Sequence, residues 1–295
     1  MKRIIFFIST LLLLASCSNT ETVSPVTDWT PAISRSATGG QDLRIIGKQG
    51  NRTLFNKILR PALDGAGKAE WQDGKPVWNN ETIDLIAFAP AQSGLPATVE
   101  HNGTTEYFLD YHPSVTKALA PSSFHMHPLM AQLKVHIWVE ETEVHTPEND
   151  SVYIYTMADI DFPEKMLKNP ANRDYVCLGS ISQSGTLEQD GHHYDKFSMD
   201  RPLVVIPQTI PAGEEVLWFS IKNAHYYFKP DFSINLKAGY LTNLTLHVVF
   251  IEEESGEPVE PPTKKVISID RSTVTITPWE TGETISDNIF NSDNN

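Results

Sequence analysis

The chain has 295 residues, a formal net charge of −14 and 40% apolar residues. This length is enough for two ordinary domains, and the apolar content is enough for a large hydrophobic core. An acidic chain is repelled by nucleic acid phosphates, and no basic cluster offsets that repulsion, so the sequence excludes nucleic acid as a partner.

The first 16 residues have the order of a secretory signal peptide. Lys2 and Arg3 precede an apolar run over residues 4–15, and small residues then lead to Cys17. The run is shorter than the ~20 apolar residues that a permanent membrane-spanning helix needs. Its end, Leu-Ala-Ser-Cys, resembles the bacterial lipobox, which implies cleavage before Cys17 and lipidation of its thiol. The alternative is an ordinary signal peptide followed by an incidental cysteine.

Cysteine usage is consistent with a lipid anchor. Cys177 is the only other cysteine. If Cys17 carries lipid, no disulfide can form within the chain, although export predicts an oxidising compartment. Attachment of such an acidic chain to a membrane would therefore depend on acyl chains rather than on a polybasic surface.

Residues 17–44 are polar and predict a tether between the membrane and the folded part. Arg35 and Arg44 lie in this segment. Both are candidate cleavage sites for a trypsin-like protease, because exposed tethers are where proteolysis concentrates. The alternative is that they are two solvated surface charges.

From residue 45 onward the pattern predicts β structure. Residues 82–88 form a compact apolar run before Pro90, which predicts a buried strand. Residues 133–139 alternate strictly, which predicts a strand whose odd-numbered residues face a core. Further strands are predicted at residues 152–157, 215–222, 240–250, 266–269 and 274–276, the last two separated by a turn at residues 270–272.

Helix signals are scarce, and 20 prolines interrupt the chain. Short helical turns are predicted only at residues 128–133 and 161–167. Many short strands between turn residues favour an all-β sandwich over a βαβ fold. An acidic break at residues 140–150 predicts a domain boundary. We therefore expect an N-terminal domain at residues 45–145, a C-terminal domain at residues 146–282 and a flexible tail at residues 283–295.

Five segments read together point to a known family. They are Trp78 with residues 83–90, Phe124 with residues 127–135, and residues 204–209, 236–240 and 276–282. In order and spacing behind the lipobox, they resemble the fimbrillin family of Bacteroidota outer-membrane lipoproteins, especially its Mfa-like and FimA-like members. The resemblance covers residues 71–282, and none of the segments is specific alone.

The resemblance implies two tandem transthyretin-like β-sandwich domains with few short helices. It also implies a fimbrial subunit or a fimbria-associated adhesin on the cell outer membrane. The expected partners are other fimbrial subunits, outer-membrane lipid through Cys17, and glycans or proteins of host or bacterial surfaces. The role as stalk, anchor or tip stays open.

The resemblance further implies assembly by strand exchange. In stalk members a protease removes the N-terminal segment after an arginine, and a terminal strand of the next subunit fills the groove that opens. Added strands bind through main-chain hydrogen bonds and through alternate side chains. The candidate donor strand is residues 266–276, with Ile267, Ile269, Val274 and Ile276 as its apolar side chains. The alternative is that this strand completes its own domain.

No catalytic or metal chemistry emerges from the sequence. His125 and His127 would share one strand face, but zinc needs three or four ligands and the spacing supplies no others. The resemblance implies instead that His127 faces the core. No serine-hydrolase elbow, phosphate-binding loop or catalytic cysteine motif is present. We therefore predict no enzyme activity, no metal and no cofactor.

A surface glycan-binding lipoprotein of a polysaccharide-uptake system is the alternative function. It would need exposed aromatic side chains, and Trp138 is a candidate because it lies opposite the apolar face of its strand. In addition, the segment Asp-Ser-Val at residues 150–152 resembles the O-glycosylation site of this bacterial group. Ser151 is therefore a candidate attachment site for a glycan.

Replacing Cys17 with Ala is expected to leave the precursor uncleaved and without lipid, because the thiol is the lipid acceptor. Mass spectrometry of the membrane fraction after labelling with a fatty acid measures both changes. Cys177→Ala is the matched control and should be processed normally. A cleaved, acylated Cys17→Ala product would contradict the lipoprotein prediction.

Overall fold

A computed structural model describes residues 29–33, 41–61, 69–79, 81–140, 147–189, 191–221, 224–252 and 265–278. Cys17, Arg35 and the predicted tail lie outside these ranges. Within them, the chain forms strands and turns, and its helical content is a single 3-10 turn at Lys117–Leu119. The prediction of an all-β fold with few short helices is confirmed. The described residues contain no helix of the length and hydropathy that crossing a membrane requires.

The first part of the described chain builds a sheet in which every neighbouring pair is antiparallel. The order of this first sheet is β4-β3-β2-β5-β7-β9. The short strand β1 pairs in parallel with β8 outside it. The strands of this part of the chain are β1 (Ala32–Ile33), β2 (Leu43–Gln49), β3 (Arg52–Arg60), β4 (Glu70–Trp71), β5 (Ile83–Ala89), β6 (Thr98–Glu100), β7 (Phe108–Val115), β8 (Ser123–Phe124) and β9 (His127–Pro128). Strand β6 also lies outside the first sheet.

The later strands form a sandwich of two sheets. The second sheet has the order β13-β14-β10-β20-β21, and the third has the order β12-β11-β17-β18. These strands are β10 (Ala131–Glu140), β11 (Glu148–Asp161), β12 (Met166–Cys177), β13 (Ile181–Gln189), β14 (His192–Met199), β15 (Leu203–Val205), β16 (Gln208–Ile210), β17 (Leu217–Ile221), β18 (Ala224–Phe228), β19 (Ile234–Leu236), β20 (Tyr240–Glu252) and β21 (Lys265–Pro278).

The sandwich core follows from strict alternation along β10. Its odd-numbered residues Leu133 to Val139 are buried, as predicted, and its even-numbered residues are half-buried on the outer face. The odd-numbered residues pack against apolar residues of β20 in the same sheet and of β11 and β17 in the facing sheet. Buried area of this kind is the main stabilising contribution to a sandwich.

Strand β5 lies in the middle of the first sheet and is apolar on both faces. Leu85 and Ala87 belong to the core of the N-terminal part, which also contains Trp78 and Phe124. Ile86 and Phe88 point the other way, into a cluster with residues of β11, β12 and the segment around β15. Burial on both faces explains why the strand is a continuous apolar run rather than an alternating one.

The predicted boundary at residues 140–150 separates β10 from strands with which it pairs, and β6 of the earlier part pairs with β11. β10 pairs with β14, β15 and β20, so it belongs with the later strands. The acidic break follows Glu140, where β10 ends, and β11 begins at Glu148. It therefore connects the two sheets of one sandwich. At the other end, β2 begins at Leu43, inside the segment predicted to be a tether.

Both predicted helical turns are wrong. Residues 161–167 form the tight turn between β11 and β12, where the backbone N–H of Glu164 donates to Asp161 Oδ1 at 3.1 Å. The aspartate side chain therefore accepts a backbone hydrogen bond within a hairpin turn. The same side chain would cap a helix if it stood at a helix N-terminus. Residues 128–133 are extended, because they end β9 and begin β10.

The two strands predicted at residues 266–269 and 274–276 are one strand, β21. Ile269 lies opposite Val248 and Arg271 lies opposite His247, so Asp270 is one extra residue on this side of the ladder. A β-bulge of this kind inserts a residue without ending the strand. The polar residues that predicted a turn therefore mark the bulge.

A buried carboxylate ties the first sheet to the sandwich. Asp110 of β7 is fully buried, and Lys165, in the turn between β11 and β12, places its Nζ 2.7 Å from Asp110 Oδ1. The backbone N–H of His125 donates to Oδ2 at 2.8 Å, and His112 Nε2 lies 2.9 Å from the same oxygen. Burial raises the pKa of Asp110, but the hydrogen bonds from Lys165 and His125 and the nearby charges outweigh it and hold this pKa below its usual value.

Acid is expected to weaken this junction. Because the pKa of Asp110 is lowered in the folded state, the unfolded chain takes up the proton first, and stability falls as pH drops below about 4. Asp110→Asn should cost about 1–3 kcal/mol at neutral pH, since it leaves a buried donor without its partner. It should also flatten the acid limb of unfolding free energy against pH in urea titrations. Asp231→Asn, at an exposed site, is the control; an acid limb equally steep in wild type and Asp110→Asn would contradict this assignment.

Candidate assembly and ligand-binding surfaces

Strand β21, the predicted donor strand, is the edge of the second sheet. It pairs antiparallel with β20 along its whole length, from Lys265 opposite Glu252 to Pro278 opposite Tyr240. The predicted residues Ile267 and Ile269 lie opposite Phe250 and Val248. In this structure β21 thus completes its own sheet. Exchange of the strand stays a prediction.

The inner face of β21 is less buried than that of its neighbour. Leu244, Leu246 and Val248 of β20 are fully buried, whereas Val274 and Ile276 of β21 are half-buried. Val274 packs against the edge of the sandwich core. Since hydrophobic stabilisation scales with buried area, the described inner positions of β21 contribute less to the core than those of β20.

The described N-terminal segment covers the core of the first sheet. Trp29 contacts three aromatic rings, with centroid distances of 5.7 Å to Trp71, 5.4 Å to Trp78 and 6.1 Å to Phe124. Its Nε1–H donates to the carbonyl oxygen of Pro121 at 2.9 Å. Ile33, in β1, packs on the same core. Residues 29–33 are therefore docked on the domain, although they lie in the segment predicted to be a tether.

The two candidate cleavage sites differ in position. Arg44 lies in β2 between β3 and β5, and its Nη1 donates to Asn56 Oδ1 at 3.3 Å. A protease would have to unfold the centre of the first sheet to cut there. Arg35 follows β1 by two residues and lies outside the described residues. Arg44 is therefore a poor cleavage site in the folded protein, and cleavage after Arg35 stays a prediction.

The remaining predicted site residues do not form a chemical centre. His125 and His127 are exposed, so the expectation that His127 faces the core is wrong; Phe124 and Met126 are the buried residues of this segment. Over the described residues, no three His, Cys, Asp or Glu side chains gather as metal ligands. Ser151 is half-buried on the outer side of β11, between Cys177 of β12 and Trp218 of β17.

The outer side of the third sheet carries an aromatic surface that the sequence analysis missed. We call it the aromatic face, and it comprises Tyr153, Tyr155, Tyr175, Trp218 and Tyr227. Tyr175 is 46% exposed and Tyr227 is 54% exposed. Only the tryptophans were considered as surface aromatics from the sequence. The tyrosines at alternate positions of β11 were the available signal, because such residues share one face of a strand.

A polar border surrounds one end of the aromatic face. The guanidinium of Arg173 lies 4.5 Å from the ring centroid of Tyr153 and 5.7 Å from that of Tyr155, and it forms an ion pair with Glu214. The hydroxyl of Tyr175 donates to a carboxylate oxygen of Glu215. This hydrogen bond, with burial and the nearby charge, raises the pKa of Tyr175 to about 12. Tyr175 therefore stays neutral at physiological pH.

Trp138, the aromatic residue singled out from the sequence, is in a different environment. It is half-buried on the outer side of the second sheet. The ring of His247 lies 4.4 Å from its ring, and the ammonium of Lys196 lies 4.8 Å from its centroid. Its ring is thus covered by neighbouring side chains, and it is a poorer contact surface than Tyr175 or Tyr227.

Comparisons with known families agree with this architecture. A family model described as fimbrillin-like matches residues 48–279. A model of the prokaryotic membrane lipoprotein lipid attachment site matches residues 1–18. No curated protein matches the chain.

Several solved structures are similar in fold. A protein of Bacteroides uniformis described as a candidate cell adhesion protein shares 14% identity, covering 84% of this chain and 95% of its own, with a TM-score of 0.51. A similarly described protein of Bacteroides ovatus shares 12% identity over 83% of this chain and 89% of its own, at a TM-score of 0.46. The fimbrial anchor protein Mfa2 of Porphyromonas gingivalis shares 11% identity over 85% of this chain and 91% of its own, at a TM-score of 0.42.

Proposed function

The chain belongs to the fimbrillin-like family, and on that premise we propose that it is a fimbrial subunit or a fimbria-associated adhesin that assembles by β-strand addition. The match to a lipid attachment site supports anchoring through Cys17. A fimbrial role requires that the anchor lie in the outer membrane with the folded chain facing the exterior. Family membership indicates a structural rather than an enzymatic role. The observation that carries the assembly mechanism is the position of β21, a long strand held by one neighbour at the edge of a sandwich.

In strand exchange at β21, the incoming strand would replace the hydrogen bonds that are lost when β21 leaves. When β21 leaves, the main-chain groups of β20 lose their partners, and a strand from a second subunit restores the same hydrogen bonds. The incoming side chains would occupy the half-buried positions of Val274 and Ile276. Because these positions are less buried than those on β20, opening the edge costs less than opening the centre of the sheet.

The N-terminal segment offers a second surface for strand addition in the first domain. Proteolysis after Arg35 would release Trp29 and Ile33 from the core that they cover. Trp71, Trp78 and Phe124 would then lose a contacting ring and form an apolar groove. A β21 strand with apolar residues at alternate positions is suited to fill such a groove.

A disulfide between β20 and β21 tests the exchange of β21. Thr245 lies opposite Thr273, and opposed residues in an antiparallel pair have Cα atoms ~4.5–5.5 Å apart, within the range that a disulfide spans. In a Cys177→Ser background, oxidised Thr245→Cys/Thr273→Cys protein should fail to enter fimbriae sheared from the cells, because β21 cannot leave. Reduction should restore incorporation.

The matched control locks the opposite edge of the same sheet. Ser182 of β13 lies opposite Ser198 of β14, so Ser182→Cys/Ser198→Cys introduces a disulfide that leaves β21 free. This variant should assemble as wild type does when oxidised. Normal incorporation of the oxidised β20–β21 variant would show that β21 is not exchanged.

A further inference from the structure

We infer that the aromatic face of the third sheet is a binding site for a neutral saccharide chain. The inference goes beyond assembly, since it concerns what the assembled subunit adheres to. It rests on the proposed function only in that an adhesin needs a ligand-binding surface.

The aromatic residues extend across the whole sheet. Tyr175 lies on β12, Trp218 on β17 and Tyr227 on β18. Between them, Tyr153 of β11 is covered by Arg173 and supports Tyr175, with a centroid distance of 4.7 Å between the two tyrosine rings. Three strand steps of ~4.8 Å and an offset of two residues along the strands separate the outer two tyrosines by ~16 Å. That span fits an oligosaccharide rather than a single sugar ring. Ser151, a small residue, lies between Trp218 and the tyrosine pair and leaves room between the rings.

The exposure of these rings suits a ligand with apolar faces and polar edges. Tyr175 and Tyr227 are about half exposed although they lie on a sheet with a well-packed inner side. Sugar rings present C–H groups on their faces and hydroxyls around their edges. Tyrosine and tryptophan offer rigid amphipathic contact area at low entropic cost, so they suit the faces. Arg173, Glu214 and Glu215 at the border offer donors and acceptors for the hydroxyls.

The charges at the border favour a neutral ligand over an anionic one. The cation of Arg173 is paired with Glu214, and Glu215 accepts from the Tyr175 hydroxyl. The guanidinium therefore has its counter-ion already in place. The whole chain carries a net charge of −14, which repels polyanions such as uronate or sulfated polymers.

A protein partner fits this face less well. A stable protein interface buries about 800 Å² on each partner around an apolar centre. Here the half-exposed rings alternate with the small residues Ser151 and Cys177, and Arg173 covers the rings of Tyr153 and Tyr155. The exposed apolar surface is thus a narrow row, and a linear chain of sugars matches that shape better.

The test is titration calorimetry on the mature lipoprotein in detergent. The probes are three neutral hexasaccharides, cellohexaose, mannohexaose and N-acetylchitohexaose, with polygalacturonate as an anionic comparison. Wild type should bind at least one neutral probe. Tyr175→Ala and Tyr227→Ala should each weaken that binding about tenfold, the size of effect typical when a contacting aromatic is truncated.

Two further variants separate ring contact from loss of folding. Tyr227→Phe keeps the ring and should bind within about threefold of wild type, whereas Trp138→Ala, on the second sheet, should bind as wild type does. The proposal is overturned if wild type binds none of the neutral probes, if it binds polygalacturonate more tightly, or if Trp138→Ala alone loses binding. It is also overturned if Tyr175→Ala and Tyr227→Ala, folded by circular dichroism, bind normally. Fimbrial incorporation of the disulfide-locked variants is measured separately, so failure of the assembly mechanism would not affect this result.

Discussion

The pairing of β21 with a single neighbour is the interaction on which the proposed assembly mechanism depends. A strand in the middle of a sheet has two partners and a buried side chain at every second position, as β10 has. β21 has one partner, β20, and its described inner residues are half-buried. In this structure it completes the second sheet, and the proposed mechanism requires that an equivalent strand can replace it. Most proteins protect their sheet edges from pairing with strands of other molecules. A subunit that assembles by strand addition instead depends on that intermolecular pairing.

The rest of the fold keeps that edge in a fixed place. The sandwich core holds the second and third sheets together, and a separate apolar cluster joins the sandwich to the first sheet. The ion pair of Asp110 and Lys165 fixes the turn between β11 and β12 to β7. The same rigidity supports the aromatic face, because every strand that carries it also contributes apolar residues to a core. The molecule therefore exposes tyrosines on one surface and an edge strand on another while its cores stay packed.

Strand positions could be predicted where the burial pattern is long and regular, whereas β2, β7 and β14 were not predicted. β5 and β10 were predicted because continuous and alternating apolar patterns report burial directly. The helical turns at residues 128–133 and 161–167 were wrong because capping residues and prolines serve turns as well as helices. The acidic break looked like a linker because sequence shows polarity but not which strands pair across it. The tyrosines of β11 could be predicted to share one strand face. The rest of the aromatic face could not be predicted, since it depends on the order β12-β11-β17-β18, which brings together residues that are far apart in sequence.

Hydrogen–deuterium exchange of the mature lipoprotein is the most direct test of the central claim. Local opening of a weakly held edge strand exposes its amides without global unfolding. Peptides covering β21 should therefore exchange much faster than peptides covering β10, which lies between β14 and β20 in the same sheet. Equal protection of β21 and β10, up to the stability of the whole sandwich, would show that β21 is a permanent part of the core and would contradict assembly by its exchange.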